Sequence, residues 1–210
     1  MATDIYHIAI DGPVAGGKGT VAKLLSTELG IPCLDTGAIY RGIAVAERDK
    51  LSRNITAKII NNITRIYIDN KDITTKLREN DISKLSSNLA TNPEVRALCT
   101  KISQDLAGKQ SLIAEGRDIC SVVLPNAKHK FYLTAHVKVR ANRRHADLVA
   151  RGEEVPLKQV LHETKYRDRQ DIKKGGLVRT SDAILIDSTK EQPQQTTQRI
   201  LEIIRANAGA

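Results

Sequence analysis

Nine residues near the N-terminus, Gly12-Pro13-Val14-Ala15-Gly16-Gly17-Lys18-Gly19-Thr20, carry the clearest chemistry in the chain. Gly12, Gly17 and Lys18 stand in G-x-x-x-x-G-K register, after the apolar run Ile8-Ala9-Ile10 and ahead of a helical pattern. That context identifies a phosphate-binding loop rather than an ordinary glycine-rich turn. Glycines let the backbone bend until successive N–H groups point at phosphate oxygens, and the following helix adds its positive end. Lys18 would reach the β- and γ-phosphates as a point charge. Gly19 fills the usual Ser/Thr slot, and the hydroxyl comes one residue later, at Thr20.

Transfer of a phosphoryl group asks little covalent chemistry of a protein. It needs donor and acceptor in line and positive charge where the migrating group spreads its own negative charge. Arginines should therefore converge from several elements. Arg41 lies about a turn into the helix after Asp35-Thr36-Gly37, Arg96 flanks an apolar helix face, and Arg117 follows a strand end. Arg140, Arg143 and Arg144 share one helical face, and Arg167 and Asp171 are i, i+4 neighbours. Arg48, Arg53, Arg65, Arg199 and Arg205 read as surface side chains. Other chemistries lack their patterns. The five histidines have no ligand spacing, and no serine sits in an elbow motif. Asn70-Lys71-Asp72-Ile73 misses the guanine-reading N-K-x-D because Ile73 takes the aspartate position.

The elements that must position these residues alternate. Strands are expected at Ile5–Ile10, Ile31–Leu34, Ser111–Ala114, Lys130–Thr134 and Ala183–Ile186. Helices are expected at Thr20–Leu29, Ala38–Asp49, from Pro93 onward, and at Val137–Arg151, Leu157–Asp171 and Pro193–Ala206. Gly30 reads as a helix stop, with Asn92 as N-cap and Pro93 as first helical residue. Residues 51–90 are polar and read as an insert with a small hairpin over Ile66–Ile73. The expected fold is α/β, a mostly parallel five-stranded sheet covered by helices on both faces. Ligands then sit outside the carboxyl ends of the strands, where the phosphate loop, Asp35–Arg41 and Glu115–Asp118 lie.

The chain has 210 residues, 40% hydrophobic and only 3% aromatic, with a net charge of +9. Such a charge suits a polyanionic partner. The basic residues are scattered singly, and stacking aromatics are scarce, so a pocket for several phosphates fits better than a nucleic-acid platform. Cys33, Cys99 and Cys120 form no CxxC pair; Cys33 and Cys99 fall on apolar faces and read as buried thiols. No signal peptide or membrane-length run is visible. A cytoplasmic protein without a membrane or nucleic-acid partner is expected, and the charged surface gives no reason to require more than a monomer.

Together these motifs resemble the bacterial cytidylate kinases, a family of P-loop nucleoside monophosphate kinases. The matching segments are Ile8–Thr20, Asp35-Thr-Gly-Ala-Ile-Tyr-Arg41, Glu115-Gly-Arg-Asp118 with Val122-Val123-Leu124-Pro125, Arg167-Asp-Arg-Gln-Asp171 and Ala183–Ser188. The resemblance implies a P-loop core at 1–50 and 91–210, a short lid at about 143–175 and a monophosphate-binding insert at 51–90. It implies transfer from ATP, with Mg²⁺, to CMP or dCMP, with UMP or AMP as alternative acceptors. Gly12–Thr20 would then bind ATP. Thr36, Arg41 and Arg117 would hold the acceptor phosphate; Ser87, Arg96 and Asp118 would read cytosine; Arg167 and Asp171 would meet phosphate and ribose. Lys18, Arg143, Arg144 and Arg167 would act on the transferring group, with Thr20 and, through water, Glu115 near the metal. Three features depart from the family pattern. Cys120 replaces a usual Gly, Lys174 stands near a usual Arg, and Gly175-Gly176-Leu177 replaces S-P-L. The insert is also expected to lack a strand or hairpin found in longer relatives.

Overall fold

The computed structural model describes residues 5–79, 81–173 and 176–208. In chain order the elements are β1 (His7–Asp11), α1 (Lys18–Leu29), β2 (Cys33–Asp35), α2 (Thr36–Arg48), β3 (Ile55–Ile60), β4 (Ile63–Ile68), β5 (Lys71–Asp72), α3 (Ile82–Leu89), α4 (Pro93–Ala107), β6 (Leu112–Gly116), β7 (His129–Thr134), α5 (Val137–Val149), α6 (Leu157–Lys173), β8 (Ile184–Asp187) and α7 (Pro193–Ala208). Single-turn segments at Thr74–Arg78 and Ile119–Val123 complete the described chain. The core elements expected from periodicity are present, with boundaries shifted by one or two residues.

The central sheet runs β2-β6-β1-β7-β8, and every pairing in it is parallel. Parallel strands are covered on both faces, so their side chains divide between two cores. Ile8 and Ile10 pack with Val21, Leu25, Phe131, Ile200 and Leu201 under α1 and α7. Ala9, one residue out of phase, joins Leu34, Ile39, Ile43 and Ala114 under α2. Each fully buried Ile contributes roughly 1.5–3 kcal/mol. Gly30 ends α1 with φ 68°, and Asn92 Oδ1 accepts from Glu94 and Val95 N–H at the start of α4. All three cysteines are buried free thiols.

The polar stretch after α2 holds more order than its texture suggests. The hairpin over Ile66–Ile73 is present as β4–β5, turning through Asp69 and Asn70 at positive φ. Beside it, β3 pairs antiparallel with β4 through Asn61 and Asn62, both also at positive φ. Two such residues in a row are what a two-residue hairpin turn requires. Ile55, Ala57, Ile66, Ile68, Leu77 and Ile82 from this stretch join the same buried cluster as Ala9 and Leu34. Alternation explains the disguise: every second residue of β3 faces water, so the average composition is polar. Arg48, expected at the surface, is only 26% exposed and ties the end of α2 to Asp49, Glu79 and Asp81. It thereby steadies the approach to α3.

Helix α2 comes very near this small sheet at Gly42. A Cβ there would lie 2.5 Å from Ile66 Cγ2. We predict that Gly42→Ala destabilises the fold by about 1–3 kcal/mol through overpacking. A urea-denaturation midpoint equal to that of the wild type would contradict this packing.

Candidate active site

The carboxyl ends of β1, β2 and β6 open into one cleft of about 660 Å³. The phosphate loop forms one wall. Gly12 has φ 150°, and a Cβ on it would lie 1.9 Å from the Leu133 carbonyl oxygen, so only glycine lets the loop pass β7 this closely. Lys18 opens α1 and is 5% exposed, its Nζ donating to the Pro13 carbonyl at 3.0 Å and lying 4.0 Å from Glu115 Oε2. Ala15 to Thr20 line the cleft; Gly12, Pro13 and Val14 form the turn behind them.

Asp35-Thr36-Gly37-Ala38-Ile39-Tyr40-Arg41 builds the second wall, and four of its residues have a visible physical task. Asp35 Oδ1 caps α2 by accepting from Ala38 N–H, while its Oδ2 holds Arg41 Nη2 at 2.6 Å. Gly37 leaves room for that pair, since a Cβ would sit 3.0 Å from Asp35 Oδ1 and 3.2 Å from Arg41 Nη1. Thr36 donates its hydroxyl to the Glu115 carbonyl at 2.8 Å and so joins α2 to β6.

Glu115-Gly116-Arg117-Asp118 supplies the floor. Arg117 Nε donates to Asp171 Oδ2 at 2.9 Å, and Arg96 Nη2 donates to Asp118 Oδ2 at 2.5 Å. Ser86 and Ser87 on α3 close the far end beside Arg96. Thr20, Thr36, Arg41, Ser87, Arg96, Glu115, Arg117, Asp118, Arg167 and Asp171, all singled out from sequence, therefore meet in one cleft. Lys174 and Gly175 lie outside the described residues.

Crowded charge sets the electrostatics. Burial, with Arg117 nearby, lowers the Lys18 pKa to about 7; Glu115, Asp11 and Asp171 oppose the shift. Burial, with Asp35 nearby, raises Glu115. Burial also lowers Arg167, and its neighbours Arg117, Arg144 and Arg41 push the same way while Asp171 opposes. Arg41, Arg117 and Arg144 thus converge on Arg167. The cleft is close to formally neutral, because Asp35, Glu115, Asp118, Asp147 and Asp171 face Lys18, Lys23, Arg41, Arg96, Arg117 and Arg167. Most of the chain's excess positive charge therefore lies elsewhere, contrary to a purely basic pocket.

Three expected arginines behave differently. Arg140 does not converge on the cleft. It is 6% exposed, bonds Asp168 through both terminal nitrogens at 3.1 and 2.6 Å, and donates to the Ala135 and Val14 carbonyls. It braces the phosphate loop from behind, because its helix position points it at the loop's outer side. Arg143 donates to Ser188 Oγ and to the Ser188 carbonyl, beside Gly17 but outside the cleft lining. Arg144 also lies outside the lining. Sequence reasoning passed over Asp168 and Asp11. Asp168 carried no local signal, because its partner Arg140 lies 28 residues away on another helix. Asp11, by contrast, was legible as a lone charge ending an apolar strand.

Removing one partner from a buried, doubly bonded pair leaves the other charge uncompensated. Asp168→Ala is expected to lower stability by about 3–5 kcal/mol, as read from chemical denaturation. A loss below 1 kcal/mol would show that Arg140 is solvated in solution.

Solved structures share this architecture at low identity. Shikimate kinase from Bacteroides thetaiotaomicron superposes with a TM-score of 0.52 at 13% identity, covering 96% of this chain and 99% of its own. An uncharacterised protein from Eubacterium ventriosum gives 0.53 at 16% identity, covering 96% and 99%. Sequence similarity is more specific. A cytidylate kinase of Caldicellulosiruptor bescii is 37% identical over 94% of each chain. One of Thermosipho melanesiensis is 39% identical over 95% of this chain and 96% of its own. The cytidylate kinase family model matches residues 8–206. Matched by that model over residues 8–206 and by these relatives over nearly its whole length, this chain belongs to the cytidylate kinase family.

Proposed function

We propose that the chain transfers the γ-phosphoryl group of ATP to CMP and dCMP, yielding ADP with CDP or dCDP by in-line displacement. One observation carries this reading: a single cleft joins a triphosphate-type loop to Arg41, Arg117 and Arg167, and beyond them to Ser87, Arg96 and Asp118. The curated relatives named cytidylate kinase support the same acceptor.

In this reading the backbone amides of Gly12–Thr20 wrap the ATP phosphates, and Lys18 lies on their β,γ side. Mg²⁺ suits the residues present. Thr20 and Glu115 offer only oxygen, and among the described residues no three acidic, His or Cys side chains cluster. Mg²⁺ commonly takes one or two protein oxygens, substrate phosphates and water, as this sparse set would allow. When bound, it would neutralise charge developing on the transferring phosphates. Arg41 and Arg117 take the acceptor phosphate, exchanging or sharing Asp35 and Asp171. Arg167 stands between both phosphates and Asp171 near the ribose, with Thr36 in the wall. Arg143 and Arg144 close over the γ-phosphate once Arg143 leaves Ser188, excluding the water that would otherwise hydrolyse ATP.

Base choice follows from donors and acceptors. The Asp118 carboxylate accepts from the exocyclic N4 amine of cytosine, and Arg96 donates to O2 and N3. Uracil reverses both contacts at N3 and O4, leaving polar groups unpaired at a cost of ~1–3 kcal/mol each. Every residue named comes from one chain, so a monomer suffices. Three free thiols fit a reducing cytoplasm. Among the described residues no helix is long and apolar enough to cross a membrane.

A coupled ADP-release assay across CMP, dCMP, UMP, AMP and GMP should favour the two cytosine nucleotides; preference for UMP or AMP would overturn the assignment. Asp118→Ala should impair CMP selectively, whereas Lys18→Ala should impair every acceptor. Proton linkage gives an independent check. With Lys18 depressed to about 7, the empty site holds it increasingly neutral as pH rises above 7. Bound phosphates favour the charged form, so ATP binding at pH 8 should take up close to one proton, falling toward pH 6. Calorimetry in buffers of different ionisation enthalpy measures this uptake, and Lys18→Met should abolish it.

A further inference from the structure

Asp11 ends β1, immediately before the phosphate loop, and is 1% exposed. It lines no part of the cleft, yet both its carboxylate oxygens are engaged. Oδ1 accepts from Ile119 N–H and Oδ2 from Cys120 N–H, each at 2.8 Å. These amides are the first two of the turn Ile119–Val123, directly after Arg117 and Asp118. The second of them, the Cys120 N–H, is one that the side chain of the residue before the turn, Asp118, would ordinarily take. Asp118 instead has an extended φ of −146°, makes no capping bond, and turns its carboxylate to Arg96. A residue from the neighbouring strand does the capping, which leaves Asp118 free to face the cleft. Asp11 also stands opposite Gly116 in the β1–β6 pairing, so one side chain spans from the phosphate-loop strand to the corner bearing Arg117.

We propose that Asp11 is a positioning residue that joins the two halves of the site: it fixes the Arg117–Asp118 corner to the strand feeding the phosphate loop. The proposal rests on the kinase reading above. Two acceptor oxygens facing two N–H donors call for a carboxylate. An amide offers one acceptor, and its NH₂ would oppose the other N–H. Burial, with Asp118 nearby, raises the Asp11 pKa, and the Cys120 and Ile119 amides that bond the carboxylate oppose that rise.

The test is steady-state kinetics of Asp11→Asn with CMP, UMP and ATP varied in turn. Displacement of the corner should raise KM for CMP about tenfold and shrink the CMP-over-UMP preference by a similar factor, since sub-ångström misplacement of a positioned group already weakens catalysis severalfold. KM for ATP, measured at about pH 6 where Lys18 stays charged, should stay within about twofold, because the phosphate loop keeps its own contacts to Leu133 and Arg140. An unchanged KM for CMP with an unchanged CMP-to-UMP ratio would reduce Asp11 to a fold-stabilising residue and overturn the proposal. An equal rise in both KM values would overturn it as well. If Asp11→Asn does not fold, an amide-to-ester replacement at residue 120 removes one N–H donor without altering Asp11, and the same criteria apply. Wild-type enzyme assayed in parallel separates the two claims. A wild type that prefers another acceptor defeats the CMP assignment, while Asp11 is still judged by acceptor KM against ATP KM.

Discussion

Positive charge gathered in a half-buried cleft repels itself, and this repulsion is the constraint on which the site depends. Arg117 presses on both Lys18 and Arg167, Arg144 and Arg41 press on Arg167 as well, and burial withdraws the water that would screen them. Carboxylates make the arrangement tolerable. Asp35 holds Arg41, Asp171 holds Arg117, Asp118 holds Arg96, and Glu115 stands 4.0 Å from Lys18. Removing one partner of a half-buried pair is costlier than the pair's net contribution, so the pairs are better viewed as holders of geometry than as sources of stability. Two phosphate-bearing ligands would compete with these carboxylates for the same cations.

Holding these charges at the right spacing requires the backbone to come unusually close. Gly12 passes against the Leu133 carbonyl, Gly37 clears the Asp35–Arg41 pair, and Gly116 makes way for the Thr36 hydroxyl, which a Cβ would approach to 2.6 Å. Behind this layer lie buried polar braces. Arg140 with Asp168 supports the phosphate loop, and Asp11 supports the Arg117–Asp118 corner. Each brace joins segments far apart in the chain, so the site's rigidity is a property of the sheet's carboxyl edge as a whole.

The local motifs were readable because their chemistry is local. The phosphate loop needs only glycine at set positions, a lysine and a following helix, and all lie within nine residues. Asp35 to Arg41 forms a cap and an ion pair within two helical turns. The insert was harder to read. Its strands β3 and β4 alternate faces, so the average polarity hid the isoleucines that enter the main core. The paired asparagines at 61 and 62 were the available signal for its first hairpin. Arg140 shows the opposite error, since an arginine on the helical face shared with Arg143 and Arg144 had seemed another phosphate ligand. Nothing within its own helix reveals that Asp168 waits on α6.

Sequence by itself determined the alternation of strands and helices, the phosphate loop, the helix ends at Gly30 and Asn92, and the family, because spacing, capping and glycine placement act over a few residues. Only the tertiary structure decided which carboxylate restrains which arginine, that the cleft is nearly neutral although the chain carries +9, and that Asp11 caps a turn begun more than one hundred residues later. Those outcomes depend on strand order and on distances between remote segments. A side chain a few ångströms nearer or farther exchanges one partner for another, and no local pattern encodes that distance.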